Sequence, residues 1–322
     1  MASLCNDTNC ETYMSEAIRK NGRFQALLQN PVTIKELRSR MRGRRAFVVL
    51  TVYLLVMSLF LLLVYLTYVA SVGNVYGQDS RQVGKALFGV VLGVEVFLVV
   101  FVAPAFTAGA ITGEKERQTY DLLRTTLLPA NWFVLGKLTS ALSYVLLLIF
   151  ASIPLQSISF LLGGLSLEEL VIGQVLVLVA AVAFALFGLY CSSIMRSTLA
   201  ASVVTFGGAL FFNIGIPILV FMFGSFLAPI MFNTPPTWLT EAVLIYIAFV
   251  LIATNLPATM IASELVLLQS NSIFFFTIPV GSATSRTVTV FSPWLLFLVL
   301  YSLLALLLYW ACVRRVQRIA DR

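Results

Sequence analysis

The sequence contains no histidine and few charged residues. Without histidine, the zinc-protease motif, serine–histidine hydrolases and histidine-based acyl transfer are excluded. Charged residues fill 11% of the 322 positions, whereas an ordinary soluble domain carries about 25%. Hydrophobic residues account for 60% of the chain, which is more apolar surface than a soluble core needs. The composition therefore predicts a membrane protein.

A phosphate-binding loop of the form G-x-x-x-x-G-K-[ST] is also missing from the sequence. The two Gly-Lys pairs, Gly84-Lys85 and Gly136-Lys137, are followed by alanine and leucine rather than by serine or threonine. Neither pair has the upstream glycine or the soluble strand that such a loop requires. We therefore do not expect the chain to hydrolyse ATP by itself, and we expect it to bind no cofactor and no metal.

Long apolar runs indicate how the chain crosses the membrane. Each run is about twenty residues or longer, which as a helix spans the roughly 30 Å hydrocarbon layer. Lipid satisfies no backbone hydrogen bonds, and the runs are continuous rather than alternating, so we expect helices and not a β-barrel. The predicted spans are residues 46–70, 86–112, 134–162, 169–191, 201–231 and 293–313.

Two of these spans have recognisable starts. Ser166 and Glu169 stand three residues apart before the fourth span, which predicts a capping box in which each side chain satisfies a free backbone amide. Pro293 suits the first helical position of the last span, and Ser292 before it can act as the N-cap.

A further apolar stretch, residues 238–268, decides the topology. As a seventh span it would place the arginine-rich C-terminus outside the cell, against the rule that short Lys- and Arg-rich segments stay in the cytoplasm. Asn255 and Pro257 interrupt the stretch, and non-helical backbone at that depth requires cover from protein or a cavity. We therefore expect residues 238–268 to form a re-entrant or interfacial segment between the fifth and sixth spans.

With six spans, both termini lie in the cytoplasm, and 18 of the 21 lysines and arginines lie on the cytoplasmic side. The exceptions are Arg81, Lys85 and Arg286. Orientation and attraction to anionic lipid headgroups thus explain the net charge of +7, and we expect no binding of nucleic acid.

The chain divides into two parts by composition. Residues 1–30 are polar and mixed in charge, which is typical of a cytoplasmic tail, and residues 31–322 form the transmembrane domain. In this topology Cys5, Cys10, Cys191 and Cys312 lie on or near the cytoplasmic side, where disulfides are not expected.

The segment after the second span, from Gly113 to Pro129, carries the pattern of a short amphipathic helix. Acidic residues lie at its start and a basic residue follows, which suits the helix dipole, and Pro129 marks the stop. The mostly apolar face holds Glu116, Thr119, Leu122, Leu123, Thr126 and Leu127, and the other face holds Arg117, Asp121, Arg124 and Leu128. Such a helix, lying flat at the cytoplasmic surface, can receive force from a soluble partner. The alternative is an ordinary interfacial helix that only seals a loop.

At this segment the sequence resembles permeases of ATP-binding-cassette transporters, in the type-2 exporter superfamily. The resemblance lies in residues 111–137, with their acidic-basic start, the Asp121-Leu122-Leu123 run and the proline before Gly136-Lys137. Residues 30–38, just before the first span, are similar to the approach to the membrane in that family. Gln118 departs from the pattern, because a glycine often precedes the threonine there.

The resemblance covers about residues 30–322 in span order, and it implies how the protein works. It implies a six-helix subunit in the cell membrane that pairs with a second permease, each held by a cytoplasmic ATPase that binds the ATP. It also implies that the cytoplasmic helix transmits ATP-driven movement to the membrane part. The residues that would contact the ATPase are Glu114, Glu116, Arg117, Thr119, Tyr120, Leu122, Leu123 and Leu127.

A few residues inside the apolar stretches invite a separate interpretation. Glu95 in the second span and Glu264 in the interrupted stretch are costly in lipid. Glu95 either lines a substrate route or pairs with a cation there, or it is a buried, hydrogen-bonded acid between helices. Gly89 and Gly93 form a small-residue face suited to close helix packing, and Pro104 should kink the same span.

The residues predict a membrane protein without catalytic residues of its own, and the resemblance implies that it is an exporter permease. The alternative is a self-sufficient channel or secondary transporter, which would show an inverted repeat and several paired intramembrane charges. A membrane enzyme would need a nucleophile and a base. The substrate is not indicated by any motif.

Overall fold

The computed structural model describes residues 44–72, 80–118, 130–162, 165–231, 238–269, 273–280 and 286–320. Ten α-helices, one π-helical turn and one β-hairpin occur in these residues. In chain order they are α1 Arg44–Val72, α2 Ser80–Ala108, α3 Thr112–Glu116, α4 Ala130–Leu161, α5 Leu167–Ile194, α6 Thr198–Leu210, the π turn Phe211–Gly215, α7 Ile216–Met231, α8 Trp238–Ala253, α9 Leu256–Gln269, β1 Phe275–Val280, β2 Arg286–Phe291 and α10 Pro293–Ala320.

Six helical stretches of the described chain are long and apolar enough to cross a membrane, which confirms the predicted number of candidate spans. The stretches are Phe47–Ala70, Val83–Glu116, Ala130–Leu161, Leu167–Ile194, Thr198–Phe226 and Pro293–Gln317. The main difference from the predicted boundaries is that α2 begins at Ser80, so Arg81 and Lys85 lie on the helix rather than before it.

Helices α2 and α5 lie at the centre of the fold and pack against each other, with α4 and α10 beside them. In its most apolar window, 56% of the second span is buried inside the protein, compared with 11% of the first span. Val99, Leu148, Leu176 and Phe297 are almost fully buried in the main hydrophobic cluster. The first span therefore lies at the edge of the bundle.

The predicted capping box at the start of α5 is confirmed. The Glu169 amide donates to Ser166 Oγ at 3.2 Å, and the Ser166 amide donates to Glu169 Oε2 at 3.0 Å. Helix α10 begins at Pro293, also as predicted. The expected cap by the Ser292 side chain is wrong, because the Ser292 hydroxyl is buried and has no hydrogen-bond partner in the described structure.

Helices α8 and α9 are separated by a break at Thr254 and Asn255, where the sequence predicted an interruption. Asn255 begins α9 as its N-cap, because its Oδ1 accepts from the Ala258 amide at 2.9 Å. The Tyr301 hydroxyl of α10 donates to the Thr254 carbonyl at 2.8 Å. Side chains and neighbouring helices thus satisfy the non-helical backbone.

The same asparagine supports the π turn in the fifth span. Asn255 Nδ2 donates to the carbonyls of Asn213 at 2.7 Å and Phe212 at 3.3 Å. A π turn widens the helix and turns carbonyls away from their usual partners, so a donor from another helix stabilises it. The break between α8 and α9 is therefore fixed to the middle of the fifth span.

A β-hairpin of β1 and β2 precedes α10 and was not predicted. The strands are antiparallel, and Phe275 lies opposite Phe291 in their register. The hairpin is tied to its neighbours, because the Tyr246 hydroxyl donates to the Thr289 carbonyl at 2.8 Å and Trp294 Nε1 donates to the Ile273 carbonyl at 3.0 Å.

The expected close helix packing at Gly89 and Gly93 is wrong for the described structure. A Cβ atom added at either position would meet no atom within 4 Å, so no helix of the described structure packs closely on this face. The two glycines line a cavity between α2, α5 and α9 instead. Pro104 lies inside α2, and its kink stays a prediction.

Candidate functional site

The predicted partner-contact segment begins where α2 ends. After a short turn, α3 covers Thr112–Glu116, Arg117 follows as its C-cap, and Gln118 adopts a left-handed conformation with φ of 57°. The amphipathic pattern predicts a helix from about Glu116 to Leu127, and this is wrong at its first residues, because a left-handed residue interrupts the α-helical backbone. Thr119, Tyr120, Leu122, Leu123 and Leu127 lie outside the described residues.

A serine at the end of α5 anchors the start of α3. Ser192 Oγ accepts hydrogen bonds from the amides of Ile111 and Thr112, each at 3.0 Å. The Thr112 hydroxyl lies 3.3 Å from the same oxygen. The first amides of a helix have no partner within the helix, so a side chain from another helix here does what an N-cap residue does. Helix α3 is thereby fixed to α5.

Three charged residues of α3 extend this anchoring to other helices. Lys115 Nζ donates to the Ser193 carbonyl at the end of α5, at 2.8 Å. Glu114 Oε1 lies 2.5 Å from Nζ of Lys137 on α4, in an ion pair whose lysine side chain is only 6% exposed.

Glu116 Oε1 accepts from the Thr198 amide at 2.7 Å, and both carboxylate oxygens contact the Thr198 hydroxyl. Thr198 is the first residue of α6, so the carboxylate lies at the positive end of that helix, where an anion is stabilised. We call the contacts of α3 with Lys137, Ser192, Ser193 and Thr198 the α3 junction.

The junction changes the interpretation of two predicted partner-contact residues. Glu114 and Glu116 both bind within the chain, while Arg117 is exposed. Contact of any of the three with another protein stays a prediction. Mechanically, the junction connects α3 to α4, α5 and α6, so a displacement of α3 would be transmitted to three spans.

The second predicted site, Glu95, lies on α2 and is fully buried. Its Oε1 accepts from the Ser152 hydroxyl and, at 2.8 Å, from Gln156 Nε2, both on α4. Its Oε2 accepts from Gln174 Nε2 of α5 at 3.0 Å. All three donors are neutral, and no lysine or arginine in the described part of the chain bonds to Glu95. The geometry is that of a hydrogen-bonded acid joining three helices, and a role in transport stays a prediction.

Sequence reasoning missed most of the partners at both sites. Ser192 and Thr198 are about 80 positions away from their partners along the chain, and Gln174 is 79 positions from Glu95. One signal was available, because the amides Gln156 and Gln174 fall within predicted spans and a buried amide needs a partner.

The sequence matches no protein-family model and no curated protein. The class of the protein is therefore taken from its fold, which is that of a helical membrane protein with six candidate spans.

Proposed function

We propose that this chain is the membrane-spanning permease subunit of an ATP-binding-cassette transporter, an exporter driven by a separate cytoplasmic ATPase. The observation that supports the proposal most directly is the α3 junction. A segment that receives force must be joined stiffly to the elements it moves, and α3 is joined to α4, α5 and α6 by buried or charge-assisted hydrogen bonds.

The proposed topology places both termini and the α3 junction in the cytoplasm. In this proposal the amphipathic segment predicted from the sequence is the coupling segment, which receives force from the ATPase. Helices α8 and α9 re-enter the membrane from the outer side or lie at its outer surface, and they do not cross it. The transporter contains a second permease, either another copy of this chain or a related one, and each permease binds one ATPase.

The proposal is tested by truncating apolar residues of the coupling segment. Interface anchors typically cost about 2 kcal/mol or more when truncated, whereas exposed charges cost little. We expect Tyr120→Ala or Leu123→Ala to weaken ATPase association or to uncouple ATP hydrolysis from transport. Arg124→Ala is the matched control from the same segment and should have a smaller effect. The measurements are co-purification of the ATPase and its stimulated hydrolysis rate in membranes.

Two results would count against the proposal. If both apolar variants keep full association and coupling, the segment only seals a loop. If the purified chain alone moves a solute across proteoliposomes without ATP, the alternative function, a self-sufficient channel or secondary transporter, is favoured. The buried Glu95 cluster would then be the first place to look for a coupling ion.

A further inference from the structure

A cavity of about 280 Å³ lies between α2, α5 and α9. Its walls are mostly apolar, with Phe88, Leu92, Leu176 and Met260 among the lining residues. Gly89 and Gly93 are part of the wall on α2, together with Phe88, Leu92 and Val96 of the same helix. A Cβ atom added to either glycine would meet nothing within 4 Å, so the two glycines leave open space between larger side chains.

The polar groups of the cavity come from its other two helices. Glu169 near the start of α5 and Glu264 near the end of α9 both line it, and each is partly exposed. Neither carboxylate forms an ion pair in the described structure. Lys85 of α2 does not line the cavity, but it is close enough to act electrostatically on Glu264, as Glu169 is. When both acids are ionised, the two acids and the one base carry a net negative charge.

The third polar group of the cavity is the Ser263 hydroxyl, which, unlike the Glu169 carboxylate, has no hydrogen-bond partner in the described structure. Ser263 lines the cavity and is 3% exposed. A buried hydroxyl without a partner is costly, so a polar group of a bound molecule that reached Ser263 would be stabilised. Ser263 and Glu264 are one residue apart on α9 and both line the cavity, so the hydroxyl lies at about the same depth as the carboxyl group.

The dimensions of the cavity match a single alkyl chain. Gly93 is eight residues beyond Lys85 on α2, and Leu176 is seven residues beyond Glu169 on α5, so the apolar walls extend about 10–12 Å inward from these charged residues. A chain lying there would contact three helices, and its head would lie beside the two carboxyl groups.

We propose that the cavity between α2, α5 and α9 is a binding site for a single-chain membrane amphiphile with a cationic amine head. The amine binds between Glu169 and Glu264 and donates to the Ser263 hydroxyl, while the alkyl chain lies along Gly89 and Gly93. An anionic head would meet two carboxylates, and a neutral alcohol would leave one of the two acids without a counter-charge, because Lys85 supplies only one positive charge. The site requires no ATPase and is independent of the proposed transport function.

Photolabelling of the full-length chain in phosphatidylcholine nanodiscs tests the proposal. The probes are a photoreactive decylamine, the alcohol of the same chain and the corresponding carboxylic acid. We expect the amine to label peptides from α2, α5 and α9 at concentrations at least about tenfold below the alcohol and the acid, because charge-assisted hydrogen bonds are roughly twice as strong as neutral ones.

Cavity-filling variants test the location. Gly89→Leu and Gly93→Leu place a side chain in open space, so they should fold and lose most of the labelling. Gly207→Leu is the matched control, because an added Cβ there also meets nothing within 4 Å but lies on α6, away from the cavity. Folding of each variant is checked by size-exclusion chromatography and thermal unfolding.

Charge variants test the head group. Glu169→Gln removes a charge and keeps the capping box, because glutamine serves equally at that position. Glu169→Gln and Glu264→Gln should each remove most of the preference for amine over alcohol. Lys85→Gln should have the opposite effect and strengthen amine labelling, a result that a purely structural role does not predict.

Equal labelling by amine, alcohol and acid, unchanged in the glutamate variants, would overturn the proposal and make the cavity a groove for any bilayer chain. Amine labelling that persists in the two leucine variants would place the site elsewhere. Neither result would bear on the ATPase association that tests the transport function.

Discussion

Glu95 shows how a single acidic side chain can join three helices inside an apolar bundle. Ser152, Gln156 and Gln174 all donate to its carboxyl group, so removing the negative charge need not remove the connection. A buried charge without a counter-charge is costly in a membrane, and three neutral donors offset part of that cost. The contacts of Glu95 therefore link α2 to both α4 and α5.

We expect Glu95→Gln to be tolerated better than Glu95→Lys. Glutamine keeps the shape and loses one acceptor interaction, which costs about 1 kcal/mol. Lysine places a cation among donors, which costs about 3 kcal/mol within a membrane span. The measurement is thermal unfolding of the purified variants, with Glu168→Lys as a control at an exposed acid. If Glu95→Gln assembles normally but abolishes transport, the acid has a direct functional role.

Gln118 is the only non-glycine residue of the described chain with positive φ, and it follows the C-cap of α3. The left-handed conformation costs about 1–2 kcal/mol for a residue with a Cβ atom, and glycine avoids this cost. We expect Gln118→Gly to match or exceed the thermal stability of the wild type and Gln118→Val to fall below it, because β-branched residues fit this region worst. Equal losses in both variants would show that the glutamine side chain stabilises the turn.

Among the secondary-structure elements, α3 is held to α5 partly through one side chain of α5. The Ser192 hydroxyl of α5 accepts hydrogen bonds from two backbone amides at the start of α3. Ser192 and Ser193 are adjacent on the same helix and have different partners. Ser192 accepts from Ile111 and Thr112, whereas the Ser193 hydroxyl donates to the Tyr190 carbonyl within its own helix. The pair therefore offers a comparison of matched substitutions.

Ser192→Ala should destabilise the junction more than Ser193→Ala. It leaves two buried amides without an acceptor, at about 1–3 kcal/mol each, whereas Ser193→Ala removes one bond within a helix. We expect faster proteolysis after Glu116 and a lower unfolding temperature for Ser192→Ala. Similar proteolysis rates in the two variants would mean that the contacts of Glu114, Lys115 and Glu116 are sufficient to hold α3.

The six long helices and the capping box could be predicted because apolar runs and cap patterns are local in the sequence. The break at Asn255 was indicated for the same reason, since asparagine and proline interrupt an apolar run. What Asn255 bonds to could not be predicted, because the π turn at Phe211–Gly215 carries no proline or charge that marks it. The β-hairpin was missed because its strands, each six residues long, lie beside long apolar helices.

The candidate site was predictable only in part. Charge placement in an apolar chain singled out Glu95, Glu114 and Glu116, since charged residues are rare there. Their partners are serines, threonines and amides that look ordinary in sequence, and packing alone brings them together. At Gly89 and Gly93 the sequence predicted close helix packing, whereas the structure has a cavity there. A small-residue pattern does not show whether a neighbouring helix fills the space.

Viewed as a whole molecule, the bundle presents apolar side chains outward and keeps its polar contacts inside or at its ends. Phe47, Leu55 and Leu66 of α1 are each more than half exposed, as expected for surfaces in contact with lipid or with a second permease. On α10, Trp294 and Trp310 lie 16 residues apart, about 24 Å along a helix, which approaches the thickness of the hydrocarbon layer. The Arg314 guanidinium lies 3.4 Å from the centre of the Trp310 ring.

This arrangement predicts the orientation of the whole chain. The tail after Trp310 carries Arg314, Arg315, Arg318 and Arg322, and short basic segments stay in the cytoplasm. A fluorescent reporter that folds only in the cytoplasm should be active at the N- and C-termini. A phosphatase reporter that works only outside should be active when fused after Arg286. If the N- and C-terminal reporters are active on opposite sides, residues 238–268 must cross the membrane. The α3 junction and the C-terminal tail would then lie on opposite sides of the membrane.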